Sequence, residues 1–220
     1  MKVAVLLTGC GYLDGSEIQE VVATLIALDK RGIQWHAVAI NQAQSDVVDH
    51  QEQVVCQDLN RNMLAESARI VRGKISPIAV SKPEDYDAVI VPGGFGVAKN
   101  ISDFAAKADE TYTINTKVQA FLQAFAKANK PAGFLCIAPI LIPLIYPKGV
   151  QLTIGHDANI AKTLQARGAK HINTAVNDIC VDPTHRVVSS PAYMLADNSY
   201  QAFEGIDRLV EQIQTWLKEA

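Results

Sequence analysis

The stretch AGFLCIAPILI (Ala132–Ile142) decides the fold. Its first four residues form a short apolar run of the kind that is buried on both faces of a parallel sheet. A single cysteine follows, then a segment whose proline belongs in the first turn of a helix. The sequence predicts a strand over Ala132–Leu135, a tight turn at Cys136 and a short helix over Ile137–Ile145. This strand–turn–helix arrangement is a nucleophile elbow, which lifts one side chain above the carboxyl end of a sheet.

The rest of the chain follows the same rhythm. VAVLL (Val3–Leu7) is a second buried strand and ends in Thr-Gly-Cys-Gly. Helical spacing runs from Ser16 to Lys30, with an apolar stripe of Ile18, Val21, Val22, Leu25, Ile26 and Leu28 and with Gly32 at the C-terminal cap. Further strands are expected at Trp35–Ile40, Ala88–Val91, Leu152–Ile154, Ile179–Val181 and Val187–Val188, with a short hairpin near Val54-Val55. Helices are expected at Arg61–Val71, Thr113–Lys127, Ala158–Ala166 and Ile206–Leu217. Strands alternating with helices imply a mostly parallel sheet covered on both faces, a three-layer α/β sandwich forming one domain over residues 1–220.

Composition narrows the function classes. The chain has 220 residues, 49% of them apolar, enough for a substantial single core, and a net charge of −3 with no Lys/Arg cluster that would neutralise phosphates. Nucleic acid is therefore not an expected partner. The longest apolar run, Gly133–Pro147, is too short to span a bilayer and holds three prolines, so no membrane is expected either. No secretory signal is recognisable, and the expected location is the cytoplasm. The four cysteines, Cys10, Cys56, Cys136 and Cys180, lack C-x-x-C spacing and histidine partners, so free thiols and no metal are expected.

In an open parallel sheet ligands bind beyond the carboxyl ends of the strands, where Gly9–Glu17, Pro92–Gly96 and Cys136–Pro139 should converge. Cys136 at a helix start is the candidate nucleophile, its thiol pKa expected to fall below the free value of about 8.5. The N–H of Ile137 would be an oxyanion donor. Pro92-Gly93-Gly94-Phe95-Gly96 is either a plain tight turn or an anion-binding nest made by the Gly93/Gly94 pair. Glu17 has two readings. It is a proton carrier beside the thiol, or it is the N3 member of a capping box with Asp14 as N-cap. His156, in Gly155-His156-Asp157, is a site member returning to the same sheet edge or a helix-start residue. Cys10 and Phe95 would line the pocket. His36, His50, His171 and His185 show no partner pattern and read as surface or structural residues.

VIVPGGFGVAKNIS (Val89–Ser102) and GFLCIAPILI (Gly133–Ile142) resemble the glycine-pair and elbow motifs of the PfpI-like class I glutamine amidotransferase superfamily. LLTGCGYLDGSEIQE (Leu6–Glu20), LTIGHD (Leu152–Asp157) and SSPAYMLADN (Ser189–Asn198) are similar to its ElbB branch, the isoprenoid biosynthesis proteins with an amidotransferase-like domain. The resemblance implies a flavodoxin-like fold, with Glu17, Cys136 and Gly93/Gly94 as acid, nucleophile and oxyanion loop, and with a homodimer as family habit. Ile137 follows the cysteine where the superfamily's peptidases carry His, which argues against a Cys-His peptidase dyad. The expected activity is a glyoxalase that needs no cofactor and converts a small aldehyde, glyoxal or methylglyoxal, to a 2-hydroxy acid. The alternative is a non-enzymatic electrophile sensor or accessory protein of isoprenoid metabolism.

Overall fold

Strand β1 (Lys2–Leu6) is buried beyond its first residue because it lies at the centre of the sheet and has neighbours on both sides. The computed structural model describes residues 1–219. In chain order, β1 is followed by α1 (Ile18–Lys30), β2 (Gln34–Ala39), β3 (Val48–Asp49), β4 (Val54–Val55), α2 (Met63–Ile70) and β5 (Ile75–Pro77). Next come β6 (Ala88–Val91), α3 (Phe95–Lys99), α4 (Phe104–Lys107), α5 (Thr116–Lys127) and β7 (Ala132–Leu135). The chain closes with β8 (Gln151–Leu152), α6 (Ala158–Ala166), β9 (Lys170–His171), β10 (Cys180–Asp182), β11 (Val187–Ser190) and α7 (Ser199–Lys218).

Seven strands form one sheet in the order β10-β11-β7-β6-β1-β2-β5, parallel throughout except for the edge strand β10. Two-stranded pieces, β3 with β4 and β8 with β9, sit apart from it. From β1 the chain steps one way to β2, and from β6 it steps the other way to β7. Right-handed crossovers therefore put α1 and α5 on opposite faces, which gives the expected three layers and single domain. α7 packs on α1, and Arg31 joins them by donating to Asp207 Oδ1 at 2.5 Å and to the Ala27 carbonyl at 3.0 Å. The reversal of direction between β1 and β6 opens a crevice at their carboxyl ends.

Three local expectations are refined or corrected. The short helix after Cys136 runs over Ala138–Leu144 and is of the 3₁₀ type, since Pro143 inside it lacks an N–H for an α-helical ladder. α7 begins at Ser199, seven residues before the apolar pattern suggested, because Asn198 Oδ1 caps it by accepting from Tyr200 N and Gln201 N. The buried face of α1 is made by Glu20, Val21, Ala23, Thr24, Ala27 and Leu28, whereas Ile18, Val22 and Ile26 are 41%, 41% and 52% exposed. The helix is thus rotated from its most apolar stripe, and a carboxylate goes inside.

The crevice is floored by backbone packed on backbone. Glu17 N donates to the Gly93 carbonyl at 2.9 Å, Gly96 N to the Gly15 carbonyl at 2.9 Å and Phe95 N to the Tyr12 carbonyl at 2.7 Å. A Cβ on Gly94 would lie 2.3 Å from the Gly15 carbonyl oxygen and 2.4 Å from Glu17 N, and its φ of +96° with ψ of 152° is a conformation essentially reserved for glycine. Gly94→Ala should lower the unfolding free energy by at least about 1–3 kcal/mol, the ordinary cost of forcing a side chain into such a conformation. A urea midpoint that falls at unchanged slope is the expected measurement. An unshifted midpoint would show that the two loops are not locked together.

Candidate active site

Cys136 sits one residue beyond β7 with φ of +57°, a left-handed conformation that β-bearing residues adopt only under constraint. Its backbone is held by the neighbouring strand: β7 and β11 are in register up to Leu135 opposite Ser190, and Cys136 N donates to the Ser190 carbonyl at 2.9 Å. The elbow is therefore present, built by sheet register and supported by the 3₁₀ segment behind it. The thiol is buried, 8% exposed, and the backbone N–H groups of Gly94 and Ile137 face its sulfur.

The carboxyl beside the sulfur belongs to Glu20, not Glu17. Glu20 is fully buried; its Oε2 accepts from Gly93 N at 2.7 Å, its Oε1 from Tyr193 N at 3.3 Å, and the Cys136 thiol lies within its reach. A Cβ on Gly93 would fall 2.4 Å from Cys136 Cβ, 2.8 Å from Glu20 Oε2 and 3.0 Å from the sulfur, so only glycine lets the two side chains meet there. Glu17 instead caps α1, its Oε2 accepting from Glu20 N at 2.6 Å. Capping was one of the two sequence readings for Glu17, but the frame differs. Glu17 is the N-cap itself, and Asp14 is a buried loop residue that accepts from Val48 N at 2.8 Å.

The electrostatics also reverse an expectation. Burial, and then the adjoining Glu20 carboxylate, push the Cys136 thiol well above its ordinary value, against the pull of the Gly94 and Ile137 N–H groups. The helix-dipole argument for a low pKa fails because only a short 3₁₀ run follows the cysteine, contributing the Ile137 N–H, with the Gly94 N–H arriving from the turn after β6, while the thiol is buried. Burial likewise pushes Glu20 up to about 8, helped by the charge of Glu17. Glu17 is itself raised, chiefly by burial. At neutral pH the pair therefore holds both protons, and it gives up the first as pH rises through about 8.

The remaining expected members distribute as follows. Gly94 and Ile137 present their N–H groups to the sulfur as expected, whereas Gly93 does not, because its N–H already donates to Glu20. Phe95 follows Gly94 and is 46% exposed beside the crevice. Cys10 is half-buried among Arg61, Glu66 and Arg69 of the α2 region, and its thiol is raised by burial. His156 is exposed, lines a surface depression with His171 and Gln165, and is not among the groups that act on Cys136 or Glu20. Gly155 explains why its motif exists: a Cβ there would be 2.8 Å from the Leu195 side chain, so the turn packs under the segment after β11. Among the described residues no cluster of three or more His, Cys, Asp or Glu is placed to hold a metal, and no helix is long and apolar enough to cross a membrane.

No family model matches the chain. It is similar to the ES1 protein homolog, mitochondrial, of Rattus norvegicus, with 39% identity over 221 residues covering 96% of this chain and 82% of the rat protein. It is also similar to the human glutamine amidotransferase-like class 1 domain-containing protein 3, mitochondrial, with 38% identity over 96% of this chain and 82% of that protein. Among solved structures, an isoprenoid biosynthesis protein with amidotransferase-like domain from Ehrlichia chaffeensis superposes with TM-score 0.92 at 33% identity, covering 99% of each chain. DJ-1beta of Drosophila melanogaster superposes with TM-score 0.54 at 16% identity over 99% of this chain and 96% of that chain, a likeness of fold.

A buried carboxyl whose pKa is raised on folding binds its proton more tightly in the native state. Stability that is complete below the unfolded value of about 4.3 therefore drains away as pH rises toward the folded value. Wild type should lose stability between about pH 5 and pH 8, and Glu20→Gln should lose distinctly less over that window because residue 20 no longer titrates. Urea titrations of both proteins across the window check this. Parallel pH dependences would show that Glu20 is ionised in the native protein.

Proposed function

The chain belongs to the family of the ES1 proteins and the isoprenoid biosynthesis proteins with an amidotransferase-like domain, and on that premise we propose that it is a cysteine-dependent, cofactor-independent glyoxalase. The observation that carries the reading is the contact between the Cys136 thiol and the buried Glu20 carboxyl, opposite the N–H groups of Gly94 and Ile137. Superfamily membership supports the elbow chemistry. The choice of Glu20 as its partner rests on the geometry. Among the described residues no lysine or arginine acts on Glu17, Glu20 or the Cys136 thiol. A small neutral electrophile suits such a site better than an anionic one.

The chemistry balances without a cofactor. The reactive form is the pair that has given up one proton: the sulfur bonds as a thiolate to one aldehyde carbon of glyoxal, and the proton held by Glu20 passes to the carbonyl oxygen, giving a hemithioacetal and leaving Glu20 a carboxylate. The Gly94 and Ile137 N–H groups stabilise the oxygen while it carries negative charge. Glu20, now a carboxylate, takes the hydrogen from the carbon bonded to sulfur and returns it to the neighbouring carbon, while the hydroxyl proton of the first carbon moves to the second oxygen. The first carbon is oxidised to a thioester and the second is reduced to a carbinol, so no external oxidant is needed. Water then cleaves the thioester, releasing glycolate and the free thiol. A carboxyl with a pKa near 8 suits both halves of the transfer, because neither giving nor taking the proton is strongly uphill.

Glycolate release from glyoxal, followed over many equivalents per protein, tests the proposal. Cys136→Ala should abolish it. Glu20→Gln should lower kcat about 10²–10⁴-fold, the usual contribution of a positioned proton carrier. Glu17→Ala should cost about 0.5–2 kcal/mol of stability as a lost cap and only a modest part of the activity, and His156→Ala should stay near wild type. Wild-type activity should climb with pH through about 8 as the pair loses its first proton. One covalent adduct per chain without turnover would instead establish an electrophile-binding protein.

A further inference from the structure

The motif SSPAYM (Ser189–Met194) takes no part in this chemistry, yet its backbone reaches both members of the pair. The Ser190 carbonyl accepts the N–H of Cys136 at 2.9 Å, and three residues later Tyr193 N donates to Glu20 Oε1 at 3.3 Å. Between them Ala192 is fully buried with φ of +43°, a left-handed alanine in a turn that carries the chain from one contact to the other. The Tyr193 phenol donates to Gln19 Oε1, on the residue immediately before Glu20. Tyr193 is thus joined to the first turn of α1 by its main chain and by its side chain.

From this double attachment we infer that Tyr193 is the positioning residue for Glu20, fixing the carboxyl against the Cys136 thiol. The single strong bond from Gly93 N to Oε2 leaves the carboxyl free to swing about that oxygen. A second donor on Oε1, arriving from a different strand end, fixes the plane. The phenol bond to Gln19 keeps that second donor in place, since it ties the Tyr193 turn to the helix that carries Glu20. The inference rests on the reading of Glu20 as the proton carrier, and its test is separable from that reading.

The test cuts the phenol bond from each end, with Tyr193→Phe and Gln19→Leu. Both positions reach the surface, so folding is expected to survive. The rate of Cys136 alkylation by iodoacetamide is followed against pH in each single variant, the double variant and Glu20→Gln, with the adduct located by mass spectrometry. A loosened Tyr193 N–H stabilises the Glu20 carboxylate less, so both single variants should move the midpoint upward. A shift of half a unit from a midpoint near 8 lowers the rate at pH 8 by roughly twofold. The double variant should move it no further than the larger single, since both cut the same bond. A role in stability alone would lower the urea midpoint and leave the titration where it was. That result, or additive shifts in the double variant, overturns the inference while Glu20→Gln still displaces the profile. If Glu20→Gln also leaves the profile unmoved, the proton-carrier reading falls and the inference with it. Shifted profiles without glycolate production would refute the glyoxalase reading alone and leave Tyr193 in its role.

Discussion

The hydrogen bond from Gly93 N to Glu20 Oε2, 2.7 Å long and buried, ties the β6 turn to α1 beside the Cys136 thiol. Its two partners come from elements 73 residues apart in sequence. For the bond to form, α1 must turn Glu20 inward although Ile18, Val22 and Ile26 are more apolar. The turn after β6 must also lack a side chain, since a Cβ on Gly93 would strike both Cys136 and Glu20. The same loop returns the contact through Glu17 N to the Gly93 carbonyl, so the α1 entry and the Gly93 peptide are bonded in both directions. An unpaired buried carboxylate would be costly, and these donors, with its raised proton affinity, are what make Glu20 tolerable inside.

That arrangement sets the resting state of the thiol. A cysteine at an elbow is usually argued to be a thiolate because N–H dipoles favour the anion. Here two N–H groups compete with full burial and with a carboxyl at contact distance, and the competition goes to the neutral thiol. The consequence is a nucleophile stored in its less reactive form beside the group that can deprotonate it. On the proposed chemistry, activation follows the loss of the pair's first proton near pH 8. A buried, protonated thiol is also slower to react with passing oxidants than an exposed thiolate, and two of the other three thiols, Cys10 and Cys180, are likewise raised by burial.

Most of the architecture was legible because it is written in local pattern. Short apolar runs ending in glycine or cysteine located β1, β6 and β7, and the alternation of strands with helices implied the parallel three-layer sheet and the convergence of three loops at one edge. Cys136 and Ile137 were legible because an elbow has a sequence signature, and Gly94 because a glycine pair closes β6. Glu20 was missed for a specific reason. The resemblance matched Glu17 to the family's acid, and the capping box read from Asp14 set Glu17, three residues early, at the N3 position that Glu20 holds. The available signal was periodicity: Glu20, Thr24, Ala27 and Leu28 form one helical face with Val21, and a carboxylate on a face that must be buried marks a functional group. His156 was read into the site from its spacing to the cysteine, but a residue count does not say which neighbours a side chain meets, and here it meets His171 and Gln165.

The motifs that chemistry does not use have a common physical purpose. Thr153 N donates to Ser189 Oγ, and Gly155 N donates back to Thr153 Oγ1. The Gly155 turn then lies against Leu195. LTIGHD therefore braces SSPAYML, and SSPAYML in turn holds Cys136 through the Ser190 carbonyl and Glu20 through Tyr193 N. The left-handed backbones of Cys136 and Ala192 sit at the two ends of this brace. Strained conformations persist only where surrounding structure over-determines them, and here the surroundings are two strand ends in register and a turn that packs on glycine. The site is thus a small set of side chains whose geometry is imposed almost wholly by main chain. A sequence can therefore keep only its glycines and a few polar residues there and still bring a thiol and a carboxyl together.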